Sequence, residues 1–195
     1  IAEGANLGVT QAGRIEFART GGRINTDAID NSAGVDSSDH EVNIKILTAE
    51  AINEGALKEK DRNALLASMT DEVGLLVLEN NYDQTGALSV MQATAPADLD
   101  SHEGMIETLE RQGKLDRLVE GLPSPESFRK LREQHLGLTR PELAVVMAYA
   151  KLDFFSSLIA SKAPDDPAFE TLLIGYFPKE LERFGKARRR HRLRR

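Results

Sequence analysis

Asp30-Asn31-Ser32-Ala33-Gly34-Val35-Asp36-Ser37-Ser38-Asp39-His40-Glu41 is the stretch at which this chain changes character. Residues 1–35 are rich in glycine and turn residues, with only short apolar stretches. Ile1-Ala2-Glu3-Gly4 reads as the end of a buried strand, and Gln11 to Arg19 as a short helix with Ile15 and Ala18 one turn apart. Gly21-Gly22 is a stop for that helix, and Arg23-Ile24-Asn25 is long enough only for a strand stub. Strand, short helix, strand is an α/β pattern. From about Ser38 the pattern turns helical, with Val42, Ile46, Ala49 and Ile52 at helical spacing. The expected fold is therefore mainly α, with a short α/β remnant over 1–37 and a helical region over 38–195.

Working onward, Gly55 lies where the first long helix should stop. Asp61 to Ser68 is a short helical candidate. Asp71 to Ala93 is a longer one, with Val73, Leu76, Val77 and Asn80 on one side and Thr70 as a natural N-cap. Ser101 to Lys114 carries Met105, Ile106 and Leu109. Ser124-Pro125-Glu126 is a start signal, a cap residue followed by proline at the first helical position, for a helix expected to run to Leu136 and end at Gly137. Thr139-Arg140-Pro141-Glu142 is a stronger one, joining an N-cap to a Glu three residues on. The helix after it, through Leu143, Val146, Met147 and Ala150 to about Ala163, reads apolar over much of its surface and is expected at the centre of the helical core. Phe169 to Tyr176 is another short helix, and a last one starts near Pro178.

Composition narrows the function classes. Hydrophobic residues make up 41% and charged residues 29%, a globular balance. There is no cysteine, which excludes disulfides, thiolate nucleophiles and Cys-type zinc sites and fits the cytoplasm. No unbroken apolar run approaches the roughly 20 residues of a membrane span, and no basic-then-apolar leader is present, so no membrane partner is expected. The last ten residues carry seven Lys or Arg and no acid, on a chain of net charge −6. That tail reads as the solvated face of a helix. It has no aromatic residues for base stacking and an acidic body behind it, so no nucleic-acid partner is expected. The start at Ile1, inside a strand-like stretch, and the abrupt basic end together read as a piece cut from a longer chain.

Two segments can carry chemistry. In Glu3-Gly4-Ala5-Asn6-Leu7-Gly8-Val9-Thr10, small residues after a strand let a ligand approach the backbone, and Asn6 offers an amide. The same residues also make an ordinary turn. In Asp30 to Glu41, small polar residues lead into a helix whose first N–H groups and positive dipole end suit a carboxylate. Ser38 with Glu41 equally reads as a capping box. His40 is expected at the surface. His102, His135 and His191 show no metal-ligand spacing, and no metal site is expected. Asp165-Asp166 and Asp98 with Asp100 read as solvated loops.

Glu-Gly-Ala-Asn at 3–6, then Asn-Ser-Ala-Gly-Val at 31–35, then Ser38, resembles in order and spacing the glutamate, leucine and related amino acid dehydrogenases. The fuller strings Glu3 to Gln11 and Asn31 to Glu41 look specifically like the large bacterial NAD-specific glutamate dehydrogenases. Leu138-Thr139-Arg140-Pro141-Glu142-Leu143-Ala144-Val145-Val146 and the closing His191-Arg192-Leu193-Arg194-Arg195 resemble the C-terminal part of that family. The resemblance implies that 1–37 is the end of a dinucleotide-binding, Rossmann-like domain and that the parent chain oxidises L-glutamate to 2-oxoglutarate and ammonia with NAD. It implies a cofactor contact for Asn6 near the nicotinamide ribose and for Asn31 at the nicotinamide amide. It implies a place for Val35 in the substrate side-chain pocket and for Ser38 on the substrate carboxylate. Two positions depart from the family pattern: Ala33 stands where a glycine is usual, and Leu7-Gly8 replaces a proline-containing turn.

The lysine and aspartate of the family's acid–base work belong upstream, and no Gly-x-Gly-x-x-Gly occurs here. No catalytic residue is therefore assigned, and the isolated chain is expected to be inactive. The parent is expected to be a homo-oligomer. A different class of reading makes residues 50–195 a helical regulatory or assembly module of a larger enzyme, with 142–160 packing between subunits.

Overall fold

A computed structural model describes residues 8–191, and these are mainly helical with no strand among them. The expected strand end at Ile1–Gly4, Asn6 and the closing Arg192–Arg195 lie outside the described residues. The helices are α1 Gln11–Arg19, α2 Asp27–Asp30, α3 Ser32–Asn53, α4 Arg62–Ser68, α5 Thr70–Thr94, α6 Leu99–Arg111, α7 Pro125–Glu133, α8 Arg140–Ala160, α9 Glu170–Tyr176 and α10 Gly185–Arg189. Short 3-10 turns lie at Glu59–Asp61, Ala163–Asp165, Pro167–Phe169 and Lys179–Phe184.

The chain forms two compact units. The first comprises Ile1–Ser32 and Asn81–Phe154, the second Ala33–Asn80 and Phe155–Arg195. In the first, Leu88 of α5, Leu99, Ile106 and Leu109 of α6, Phe128 of α7 and Leu143 to Val146 of α8 make the core. Phe128, Ile106 and Leu143 are completely buried. In the second, Ile44, Leu47 and Ala51 of α3 pack with Leu65, Met69, Phe177, Leu181 and Phe184.

The stub Arg23-Ile24-Asn25 is not a strand. It is held by side chains instead of a ladder. Arg14, 2% exposed, donates to the Asn25 carbonyl at 2.8 Å and pairs with Asp27. The Asn25 amide donates to Asp30 at 2.7 Å and accepts from Arg140 at 2.5 Å. The first of these bonds satisfies the Asn25 carbonyl, a backbone acceptor that a strand would have paired, and the others fix the Asn25 side chain.

Cap signals form as the sequence dictates in the first unit. Ser124 accepts the Ser127 N–H at 3.2 Å with Pro125 at the head of α7. The Glu142 carboxylate, 2% exposed, accepts the Thr139 N–H at 2.7 Å. The stop of α7 differs from expectation. The helix ends at Glu133 because His135 takes the left-handed conformation, φ 54°, and Leu136 donates to Leu131 O at 2.9 Å. Gly137 serves a close approach instead of a helix stop. A Cβ there would meet the Ala95 carbonyl carbon at 2.4 Å, so only glycine lets these two backbones come together.

Helix α8 also departs from expectation. Residues 141–146 are buried, but Leu152, Phe154, Phe155 and Ile159 are each more than half exposed. By length and composition α8 is apolar enough to cross a membrane, a property hidden from a search for unbroken apolar runs because Lys151 and Asp153 interrupt it.

Candidate functional site

Asn31 caps the C-terminus of α2. Its N–H donates to Asp27 O at 2.9 Å, its backbone sits at φ −108°, ψ 10°, and the residue is half-buried. Ser32 opens α3, with its hydroxyl oxygen 2.9 Å from Ile29 O and 2.6 Å from Asn81 Oδ1. Asn31 thus closes a segment anchored through Asp27, Asp30 and Asn25 onto the buried Arg14.

The start of α3 corrects the reading of Ser38 as a helix opener. The helix begins six residues earlier, at Ser32, so Ser38 lies within it and forms no capping box with Glu41. Glu41 instead pairs with Lys45 one turn on, and that ammonium holds its carboxyl below the usual carboxylate range. Alanine at 33 favours helix over glycine by about 1 kcal/mol, which carries α3 through the loop. The first-turn N–H groups and positive dipole end therefore belong to the turn beginning at Ser32, next to Asn31.

Val35 and Ser38 share one exposed face of α3, three residues apart. Val35 is 64% exposed, and the Ser38 hydroxyl donates to Val35 O at 2.7 Å. To grip a carboxylate, that hydroxyl must exchange the Val35 carbonyl for the ligand oxygen. Trading one acceptor for another costs little, since a net hydrogen bond is worth about 1 kcal/mol.

Sequence reading misses what lies on the opposite face. His40 is 1% exposed, not a surface residue. It stacks on Tyr176, ring centres 4.6 Å apart, with Asp36 3.8 Å from its Nε2. Asn43 donates to the Tyr176 hydroxyl at 2.9 Å, and His191 lies 3.0 Å from Asn43 O. Asp36, one residue past Val35, accepts from Asn80 at 2.9 Å. The turn bearing Val35 and Ser38 is thereby backed by a polar-aromatic layer within the second unit. The Asp36–His40 spacing of four residues was the available signal.

An asparagine amide offers one carbonyl acceptor and two N–H donors, the complement of a primary carboxamide such as that of nicotinamide. A serine hydroxyl can donate one hydrogen bond to a carboxylate, and Ser38 offers that bond from inside α3, away from the positive end of the helix. Asp165, Asp166, Asp98 and Asp100 are not buried, and among the described residues no group of three or more His, Asp or Glu is placed to hold a metal ion.

Residues 1–91 match the model of the bacterial NAD-glutamate dehydrogenase catalytic domain, and 135–195 match the glutamate dehydrogenase C-terminal model. Along its whole length the chain is 50% identical to the NAD-specific glutamate dehydrogenase of Pseudomonas aeruginosa. It is likewise 48% identical to that of Mycobacterium tuberculosis and 47% identical to that of Halomonas elongata. It spans 12% of the length of each of these relatives. With both models matched and about half of all positions shared, the chain belongs to the family of bacterial NAD-specific glutamate dehydrogenases.

Proposed function

We propose that this chain supplies part of the cofactor and substrate site of an NAD-dependent glutamate dehydrogenase, which oxidises L-glutamate to 2-oxoglutarate and ammonia. The observation that carries this reading is the match of residues 1–91, which include Asn6, Asn31, Val35 and Ser38, to the family's catalytic domain. In the reaction a hydride leaves the glutamate α-carbon, and water then converts the resulting imine to the keto acid and ammonia. NAD supplies the hydride acceptor when bound. The chain's own residues orient. Asn31, and Asn6 outside the described residues, hold the nicotinamide end; Ser38 holds the substrate carboxylate; Val35 lines the side-chain pocket. Residues 1–37 then belong to the end of a dinucleotide-binding domain, and 38–195 to the helical region that follows, in a cytoplasmic homo-oligomer. Holding two carbons in line is worth several kcal/mol of barrier, so displacing these residues costs turnover even without touching an acid or base.

The test is glutamate-dependent NADH formation by the full-length enzyme bearing Asn31→Ala or Ser38→Ala. A loss of about tenfold or more in kcat/KM, on the order of 1.4 kcal/mol of transition-state binding, is expected for each. Unchanged kinetics in both would reduce the 31–38 segment to a structural turn. The 195-residue chain alone is expected to show no turnover, because no residue in it is assigned to proton transfer.

A second reading is favoured by the apolar surface of α8. Leu152, Phe154, Phe155 and Ile159 are exposed along one helix, which fits a module that packs against another surface in the assembled enzyme. Mass that rises with concentration in light scattering supports it, and a monomer at all concentrations counts against it.

A further inference from the structure

Helix α2 is a single turn, Asp27–Asp30, and Asn31 caps it. One turn makes too few backbone bonds to hold itself, because helix nucleation is unfavourable. Thr26 O accepts the N–H groups of Ile29 and Asp30 at 3.0 and 2.9 Å, which closes the turn without fixing it to its surroundings. Ile29 buries its side chain in the core of the first unit, but apolar burial is non-directional and leaves the turn free to rotate about that point.

Arg14 supplies the direction. From α1 its buried guanidinium pairs with Asp27 at the start of α2, and its Nη1 lies 3.5 Å from Asp30 Oδ2 at the end. The same Nη1 donates to Asn25 O at 2.8 Å, and Nε donates to Val9 O at 3.3 Å. Asp30 Oδ2 is buried with no hydrogen-bond partner among the described residues, so the Arg14 charge beside it offsets the cost of its burial. In sequence Asn31 directly follows Asp30, and Val9 stands three positions after Asn6. One planar, rigid side chain thus ties together the two segments given cofactor roles.

We propose that Arg14 is a positioning residue for the dehydrogenase reaction. Being buried, it acts through Asn31: by gripping both ends of α2 it sets the angle at which the Asn31 amide meets the nicotinamide carboxamide. Hydride transfer tolerates little misplacement of the acceptor carbon, so the grip is felt in turnover. The inference rests on the cofactor role proposed for Asn31.

The test is steady-state kinetics of the full-length enzyme bearing Arg14→Lys, Asn31→Ala and both changes, with NAD and glutamate varied separately. Lysine keeps the charge but cannot span two carboxylates and two carbonyls as the guanidinium fork does. Arg14→Lys is expected to lower kcat/KM for NAD about tenfold or more and to leave KM for glutamate within about twofold. In the Asn31→Ala background the same change is expected to cost less than about threefold, because the residue through which it acts is gone. Asp30→Asn keeps the shape of the side chain, removes the charge facing Arg14 and is expected to shift NAD kinetics in the same direction, which serves where Arg14→Lys does not fold. Arg117→Lys alters an arginine held by Glu110 and Pro123 O in the same unit and is expected to leave NAD kinetics as they were. A loss that persists in full without the Asn31 amide, a parallel rise in KM for glutamate, or unchanged kinetics in both Arg14→Lys and Asp30→Asn would overturn the proposal. Unchanged kinetics in Asn31→Ala would strike the cofactor role itself, and this inference with it.

Discussion

Ser38 donates its hydroxyl to the carbonyl of Val35 at 2.7 Å, so the two residues given substrate roles are already bonded to each other on an exposed face of α3. The bond duplicates an acceptor that the helix already uses, and such back-bonding adds little to stability. Ser38→Ala should therefore leave the unfolding free energy within about 0.5 kcal/mol of wild type. Urea titration followed by circular dichroism checks this. A near-zero change makes the kinetic loss expected in the full-length enzyme a binding effect; a loss above about 1.5 kcal/mol would instead mean that Ser38 supports the helix.

His40 presents the opposite case. Neither ring nitrogen has a hydrogen-bond partner among the described residues, and the ring is 1% exposed. A buried polar group without a partner costs about 1–3 kcal/mol. His40→Leu removes both nitrogens, retains apolar volume against Tyr176, and should leave stability equal or higher. A clear fall in the denaturation midpoint would show that the stacked imidazole contributes more than its desolvation costs.

That histidine also shows where the sequence was readable and where it was not. The length of α1, the extent of α5 and the caps at Ser124 and Glu142 follow from local chemistry that acts within four residues, so sequence carries them. The face of α3 does not follow in the same way. Val42 and Ile46 have helical spacing but are 53% and 40% exposed, whereas His40, Ile44, Leu47, Thr48 and Ala51 form the buried stripe. Two stripes of similar period compete on that helix. The buried one contains a His and a Thr, and Thr48 hides its hydroxyl by donating to Ile44 O at 2.9 Å. Only the apolar surface supplied by Phe177, Leu181 and Leu65, distant in sequence, decides between them. The same holds for the candidate site: Asn31 and Ser38 could be named from their motif, but the start of α3 at Ser32 depends on Ala33 and on the Asn81 contact to Ser32. The bond from Arg140 to the Asn25 side chain joins residues more than a hundred positions apart and leaves no local trace.

Acidification supplies a further prediction. Burial holds the His102 imidazole below its usual value, with Asp98 opposing more weakly. His191 is shifted the same way, again by burial first, with its bond to Asn43 O opposing. A histidine whose pKa is lowered on folding binds fewer protons in the native than in the unfolded chain. Stability from this source is complete above the unfolded value of about 6.5 and falls as pH drops from there toward the lower native value. Thermal midpoints should therefore decline between about pH 7.5 and 5.5, before most carboxylates titrate. His102→Leu should make the decline shallower, leaving the share due to His191. An identical slope in wild type and variant would remove His102 as a cause.

The most severe single change expected is at Gly137. A methyl group there would lie 2.4 Å from the Ala95 carbonyl carbon and 2.7 Å from the Pro96 nitrogen, and backbone atoms cannot swing aside as a side-chain tip can. Gly22 makes the contrast. Its added Cβ would meet the ring of Phe17, at 2.2 Å, and that side chain is partly exposed and can rotate away. Gly137→Ala must separate the segment after α7 from the α5–α6 junction, and Leu138 and Ala95 on either side of that contact are both core residues. Overpacking of this kind costs roughly 1–3 kcal/mol or more. Gly22→Ala should cost less than half as much. Comparing the two by denaturant unfolding isolates rigidity as the variable, since both substitutions add the same methyl group; equal costs would mean that the backbone at Ala95 yields as readily as the ring of Phe17.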